Sequence, residues 1–79
     1  MELDDFSKRL AQLRIAKGVS ARDMSLSLGQ SENYINQIEN LKTFPSMIVF
    51  FYICECFGIS QQEFFDEGNV NPKLLTELI

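Results

Sequence analysis

The chain has 79 residues, of which 46% are hydrophobic, and its formal net charge is −4. A chain of this length folds as one small domain, and its apolar content excludes a disordered chain. Its apolar run at 47–54 is too short for a membrane span, which needs about 20 residues. The negative charge argues against binding to nucleic acid unless the acidic residues lie away from the binding surface.

Two amphipathic helices are predicted at the start of the chain. Over residues 4–17, apolar residues recur with the period of a helix that buries one face, and Gly18 ends the pattern. The residues expected on the buried face are Phe6, Leu10, Leu13 and Ala16. Ser20 and Asp23 form a capping pair for a second, short helix that Gly29 ends. Its inner face is expected to consist of Met24 and Leu28.

A third short helix is predicted over residues 31–41, with Ser31 as its N-terminal cap. Ile35 and Ile38 lie three residues apart and point into the core, so the opposite face is offered to a partner. That face carries side chains that can hydrogen-bond to the edges of DNA bases, namely Glu32, Asn33, Asn36 and Gln37. Because so few residues separate this helix from the previous one, the two must meet through a tight turn, which is typical of a helix-turn-helix.

The fourth and fifth helices have clear N-terminal signals. A Pro-Ser pair precedes a helix over 47–57, which a glycine ends. Its inner face is expected to consist of Met47, Phe50, Phe51, Cys54 and Phe57. Ser60 and Glu63 form a capping box before a short fifth helix, which Phe64 and Phe65 should anchor against the core.

A second apolar stripe on the fourth helix indicates a partner surface. Ile48 and Tyr52 lie four residues apart, away from the expected inner face. Asn71 caps a tail helix predicted over 71–79, whose apolar residues are Leu74, Leu75, Leu78 and Ile79. Either this tail folds back over the stripe, or a second copy of the protein buries tail and stripe together. The hypothesis is a homodimer, with an interface made of Ile48, Tyr52, Leu74, Leu75 and Leu78.

The acidic residues are concentrated in the second half of the chain. Residues 1–43 carry six cations and six anions, whereas residues 44–79 carry one cation and five anions. The acidity therefore lies away from the third helix, and the domain can bind DNA, although weakly as a single copy.

The sequence contains no histidine and two cysteines, Cys54 and Cys56, which lie two residues apart on a predicted helix and so cannot form a disulfide with each other. We therefore expect no metal and no cofactor. Reduced, buried cysteines and an acidic N-terminus without the features of a signal peptide indicate a cytoplasmic protein. No nucleophile lies beside a plausible base and there is no Gly-rich phosphate loop, so the sequence does not predict an enzyme.

The segments RLAQLRIAKGVS, S-x-x-Y-I-x-x-I-E-N and FGIS-x-x-E-F-F follow one another in an order and spacing that resemble a known family. These are the phage-repressor-like (lambda-repressor-like) helix-turn-helix domains, also called the xenobiotic-response-element family. The resemblance covers a core at 6–65 within the single domain 1–79. It implies an all-α fold of five helices, here with the short tail helix, in which 20–28 braces the DNA backbone and 31–40 enters the major groove.

By this resemblance, most site residues belong to the third helix. The residues expected to read base edges are Glu32, Asn33, Asn36 and Gln37. Those expected to contact the DNA backbone are Ser31, Tyr34, Asn40 and Lys42. Arg14 and Glu39 match a structural ion pair that ties the first helix to the end of the third.

Two departures from the family pattern concern the bracing helix and the end of the third helix. Ala21 replaces a glutamine that usually contacts a phosphate, so we expect one backbone contact fewer. Leu41 replaces the usual glycine. Either Leu41 adopts a left-handed conformation or Asn40 absorbs the turn, and we expect Asn40 to do so because asparagine tolerates that conformation better.

The sequence thus predicts a DNA-binding transcriptional regulator, a small repressor that acts as a dimer on a palindromic operator of double-stranded DNA. The alternative is an acidic protein-interaction module on the same fold, with weak or no DNA binding, whose partner is a toxin, a repressor or a polymerase subunit.

Overall fold

The computed structural model describes residues 2–66, which form five α-helices and contain no strand. The helices are α1 (Leu3–Lys17), α2 (Ala21–Ser27), α3 (Tyr34–Glu39), α4 (Met47–Phe57) and α5 (Gln61–Asp66). The predicted all-α fold is therefore confirmed, while the predicted tail helix over 71–79 lies outside the described residues. None of the described helices is both long and apolar enough to cross a membrane.

Helices α2, α4 and α5 begin where local sequence signals predicted, and α1 and α4 end at the predicted glycines. Ser20 and Ser46 each accept a hydrogen bond from a backbone N–H in the first turn of the following helix. Ser60 and Glu63 exchange hydrogen bonds of 3.0 and 2.8 Å in the predicted capping box. Gly18 ends α1 with φ 78°, a left-handed conformation that costs glycine little. These signals need no tertiary partner, which explains why the sequence located the helices well.

The buried core joins all five helices. Its residues are Leu10, Met24, Ile35, Ile38, Phe50, Ile53, Cys54 and Phe64. On α1, Phe6 and Leu13 pack against this core as expected, but Ala16 is exposed and Ser7 is buried in its place. The buried face of α1 is rotated toward the side on which Ser7 and Arg14 meet α3, and this rotation turns Ala16 to solvent.

The predicted inner face of α4 is wrong for two residues. Met47 and Phe51 are exposed, and the helix buries Phe50, Ile53 and Cys54 instead. Because Glu55 is the one charged residue of α4, hydrophobicity distinguished the faces of this helix poorly, and the positions of α1 and α5 decide which stripe is covered. Likewise Phe64 is buried and anchors α5, but Phe65 is half exposed.

The end of α3 also differs from expectation, since the turn falls on Leu41. Asn40 remains close to helical geometry at φ −98° and ψ 14°, while Leu41 has φ 64°. The N–H of Leu41 donates to Ile38 at 3.0 Å and that of Lys42 to Gln37 at 2.8 Å, the two bonds of a Schellman motif. Leu41 rather than Asn40 takes the left-handed conformation, because the N–H of Asn40 still donates to the carbonyl of Asn36 as in a helix.

Replacing this strained leucine is expected to stabilise the fold. Leu41→Gly removes about 1–2 kcal/mol of left-handed strain from the folded state. Glycine also gives the unfolded chain more conformational entropy, which offsets part of this gain, so the free energy of unfolding should rise by about 0.5–1 kcal/mol. Leu26→Gly is the matched control, because Leu26 is 49% exposed and Leu41 50%, but Leu26 lies within a helix. The control should lose about 1 kcal/mol in urea denaturation. Equal losses in both variants would contradict the assignment.

Candidate nucleic-acid interface

The N-terminal end of α3 is held by a side chain of α2. The predicted cap Ser31 is wrong, since the N-cap residue is Asn33 and its side chain makes no capping bond. Instead, the fully buried Ser25 accepts a hydrogen bond from the N–H of Ile35 at 2.9 Å and donates to the carbonyl of Ala21 at 2.7 Å. A helix of six residues is marginal by itself, so this bond substitutes for a cap and fixes the angle between α2 and α3.

The C-terminal end of α3 is held by α1. Ser7 is buried and its hydroxyl donates to the carbonyl of Ile38 at 2.6 Å. Ser7 and Ser25 are the buried polar residues of the described chain, and both bond to the backbone of α3. Neither serine could be identified from the sequence as an anchor of α3, because a serine inside a helix is ordinarily exposed.

Arg14 and Glu39 form the ion pair that the resemblance implied. Arg14 Nε lies 2.7 Å from Glu39 Oε2, and Nη2 lies 3.1 Å from Oε1, so the pair is bidentate. The remaining Nη1 donates to the carbonyl of Val19 at 2.9 Å. The hydrogen bond to Glu39 raises the pKa of Arg14, against the opposing effect of burial. The pair and the bond to Val19 thus tie α1 to the end of α3 inside the domain.

The exposed face of α3 is a row of carboxamides. Its members are Asn33, Asn36, Gln37 and Asn40, all of them exposed. The last three follow Asn33 by three, four and seven residues, which places all four on one stripe, opposite the fully buried Ile35 and Ile38. The helix therefore presents amide donors and acceptors on a backbone that buried contacts hold in place.

The side chain of Asn40, which the resemblance assigns to the DNA backbone, is hydrogen-bonded to the preceding turn of α3. Its side-chain amine donates to the backbone carbonyl of Asn36 at 2.9 Å and to Asn36 Oδ1 at 3.0 Å. These bonds orient the amide of Asn36, and a phosphate contact by Asn40 requires its amine to exchange an Asn36 oxygen for the phosphate.

Glu32 is paired with a residue that the sequence did not single out. Its Oε1 lies 3.3 Å from the Nε of Arg22, on the first turn of α2. The fold alone brings them together, since α2 places its N-terminal end beside the turn that precedes α3. The other carboxylate oxygen of Glu32 has no hydrogen-bond partner among residues 2–66 and can accept from a ligand.

The other predicted backbone-contact residues surround α3. Ser31 and Lys42 are exposed at its two ends. Tyr34 is half-buried against the core, and burial raises the pKa of its phenol, so the hydroxyl remains a hydrogen-bond donor at neutral pH. We call residues 20–42, which contain α2, α3 and the turns at their ends, the α2–α3 unit. Among the cations, Arg22 and Lys42 belong to this unit, whereas Arg9 donates hydrogen bonds to backbone carbonyls of α5.

A family of proteins described as the helix-turn-helix domain matches residues 7–70 of the chain. The chain therefore belongs to the helix-turn-helix domain family, and this membership supports DNA binding as the function of its α2–α3 unit. Comparisons with curated proteins and with solved structures gave no significant match.

Proposed function

We propose that this domain is a sequence-specific DNA-binding transcriptional regulator whose α3 enters the major groove of double-stranded DNA. The observation that carries the proposal is the row of exposed carboxamides on a helix whose other face is fully buried, in a chain of the helix-turn-helix family. By its resemblance to the phage-repressor-like subfamily, we propose that it acts as a small repressor.

Base reading is assigned to Glu32, Asn33, Asn36 and Gln37. An amide can bond adenine through N6 and N7, and a carboxylate can accept from N4 of cytosine, each good pair contributing about 1–3 kcal/mol of discrimination. Ser31, Tyr34 and Lys42 are assigned to phosphates, and Arg22 joins them when it exchanges Glu32 for a phosphate. Asn40 is also assigned to a phosphate, which it contacts by exchanging its hydrogen bond to Asn36.

Dimerisation supplies the affinity that one copy lacks. Two cations on the α2–α3 unit neutralise few phosphates, and a second copy on a palindromic operator doubles that number across half-sites about 34 Å apart. Ile48 and Tyr52 are exposed on α4 and form the proposed contact between copies. The other residues of that predicted interface, Leu74, Leu75 and Leu78, lie outside the described residues.

Gln37→Ala separates base reading from backbone binding. The full chain is first used to select fragments of genomic DNA, including its own upstream region, and binding is then measured on the selected site and on a scrambled duplex. Because the side chain of Gln37 is exposed and makes no hydrogen bond within residues 2–66, its loss should reduce the preference for the selected site about tenfold and leave scrambled DNA unchanged.

Lys42→Ala is the matched control, since it should weaken both duplexes equally and reduce the slope of log affinity against log salt by about one unit per copy. The proposal fails if no fragment is retained at low salt, or if Gln37→Ala weakens both duplexes equally. Failure to bind DNA, combined with capture of one protein through α4, would support the interaction module that the acidic charge of −4 also permits.

A further inference from the structure

The N-terminal ends of α1 and α4 and the end of α5 enclose an apolar groove with a volume of about 360 Å³. Phe6 and Phe50 form its floor, with ring centroids 5.7 Å apart, and Phe44 and Phe65 form its walls at 6.0 Å from Phe6 and 5.4 Å from Phe50. Leu3 and Met47 form its rim. We call this feature the phenylalanine groove.

Apolar side chains around the phenylalanine groove are exposed next to one another. Leu3 is 68% exposed, Met47 66% and Phe65 46%. A contiguous apolar patch of this kind marks a binding site. None of its residues belongs to α2, α3 or the turn between them, so the proposed DNA contacts do not explain it.

We infer that residues 67–79 of the same chain occupy the phenylalanine groove, with their leucines against its rings. The described residues stop at Asp66, next to the groove wall Phe65, so the segment starts at the edge of the groove. Arg9 fixes this starting point, because its guanidinium donates to the carbonyls of Glu63 and Phe64 at 2.8 and 2.6 Å.

The sequence of the segment suits a return to the groove. Residues 68–72, GNVNP, are rich in the residues that reverse a chain. The apolar residues that follow are Leu74, Leu75, Leu78 and Ile79. Leu74 follows Asp66 by eight residues, and a chain of eight residues reaches at most about 28 Å. This reach is enough to cross the groove, whose wall Phe65 directly precedes Asp66.

The segment of the same chain is favoured over that of a second copy by its local concentration. A short linker holds a tethered segment at an effective concentration of about millimolar, well above the micromolar concentration of a second copy in solution. The tail thereby covers the phenylalanine groove and leaves Ile48 and Tyr52 of α4 as the surface for the proposed dimer.

Methyl NMR of the full chain tests the inference. Leucine methyl groups packed on phenylalanine rings should be shifted upfield from random-coil positions and show nuclear Overhauser effects to the rings of Phe44 and Phe65. Met47→Asp should return these methyl shifts to random-coil values. Ile15→Lys is the control, because Ile15 is 67% exposed on α1 and lies outside both the groove and the proposed dimer contact, and it should leave the methyl shifts unchanged. Each new charge suits its helix end, an acidic residue at the N-terminal end of α4 and a basic residue at the C-terminal end of α1.

A sample that mixes labelled and unlabelled chains distinguishes the occupants. Overhauser effects confined to a single chain support the inference. Effects that arise only between chains overturn it, because they assign the groove to a second copy, and random-coil methyl shifts in the unmodified chain overturn it as well. None of these outcomes depends on DNA, so the inference and the proposed function fail separately.

Discussion

Arg14→Ala is expected to lower the free energy of unfolding by about 3 kcal/mol, a large fraction of the stability of a domain this small. The side chains of Arg14 and Glu39 are 16% and 14% exposed, so removal of the guanidinium leaves a carboxylate with little access to water. The variant also loses the hydrogen bond to the carbonyl of Val19, which follows the end of α1. Urea denaturation followed by circular dichroism measures the change.

Arg22→Ala is the matched control for this prediction. Arg22 and Glu32 form the same chemical pair, but their side chains are 64% and 60% exposed and share one contact of 3.3 Å. Water and salt screen such a pair, so the control should change stability by at most about 0.5 kcal/mol. If the two variants lose equal stability, burial of the Arg14–Glu39 pair does not have the importance assigned to it.

Ser25→Ala is expected to cost about 2 kcal/mol, because it leaves the N–H of Ile35 buried without an acceptor. The alanine fits the space of the serine, so the loss is one of hydrogen bonding rather than packing. Since α3 has no side-chain cap of its own, its first turn should also fray. Hydrogen exchange should therefore be faster at Ile35 than the global loss of stability explains.

Ser27→Ala provides the comparison, since Ser27 lies on the same helix but is exposed. Its effect should stay within about 0.5 kcal/mol and leave the exchange of Ile35 unchanged. Retention of the wild-type exchange rate at Ile35 in Ser25→Ala would show that α3 does not depend on the bond from α2.

The limits of α2, α4 and α5 could be predicted from sequence because their signals are local. A serine before each helix caps its first turn, and a glycine after α4 permits the left-handed turn that ends it. The buried face of α4 could not be predicted in the same way. Apart from Glu55, that helix consists of hydrophobic residues, and the packing of distant helices determines that Ile53 is buried and Met47 is not.

In the candidate site, too, the features with a local sequence signal could be predicted and those that depend on tertiary contacts could not. The exposure of Asn33, Asn36 and Gln37 follows from helical periodicity once Ile35 and Ile38 are placed in the core. The anchors of α3 were beyond prediction by pattern, because Ser7 and Ser25 reach it from other helices and appear in the sequence as ordinary polar residues.

At Leu41 the sequence predicted where the chain turns but not which residue takes the left-handed conformation. The family comparison identified the right place, since this is where the usual glycine is absent, but the choice between neighbouring residues depended on the hydrogen bonds at the end of α3. Asn40 uses its backbone and side chain to bond Asn36, so Leu41 takes the left-handed conformation despite its cost.

An NMR titration of the full chain with a duplex that it has selected tests whether α3 is a rigidly held helix that reads DNA. We expect the largest amide and side-chain shift changes on Asn33, Asn36, Gln37 and Lys42, while the shifts of the phenylalanine groove stay unchanged. Shift changes concentrated on α4 and α5, or none at low salt, would contradict it.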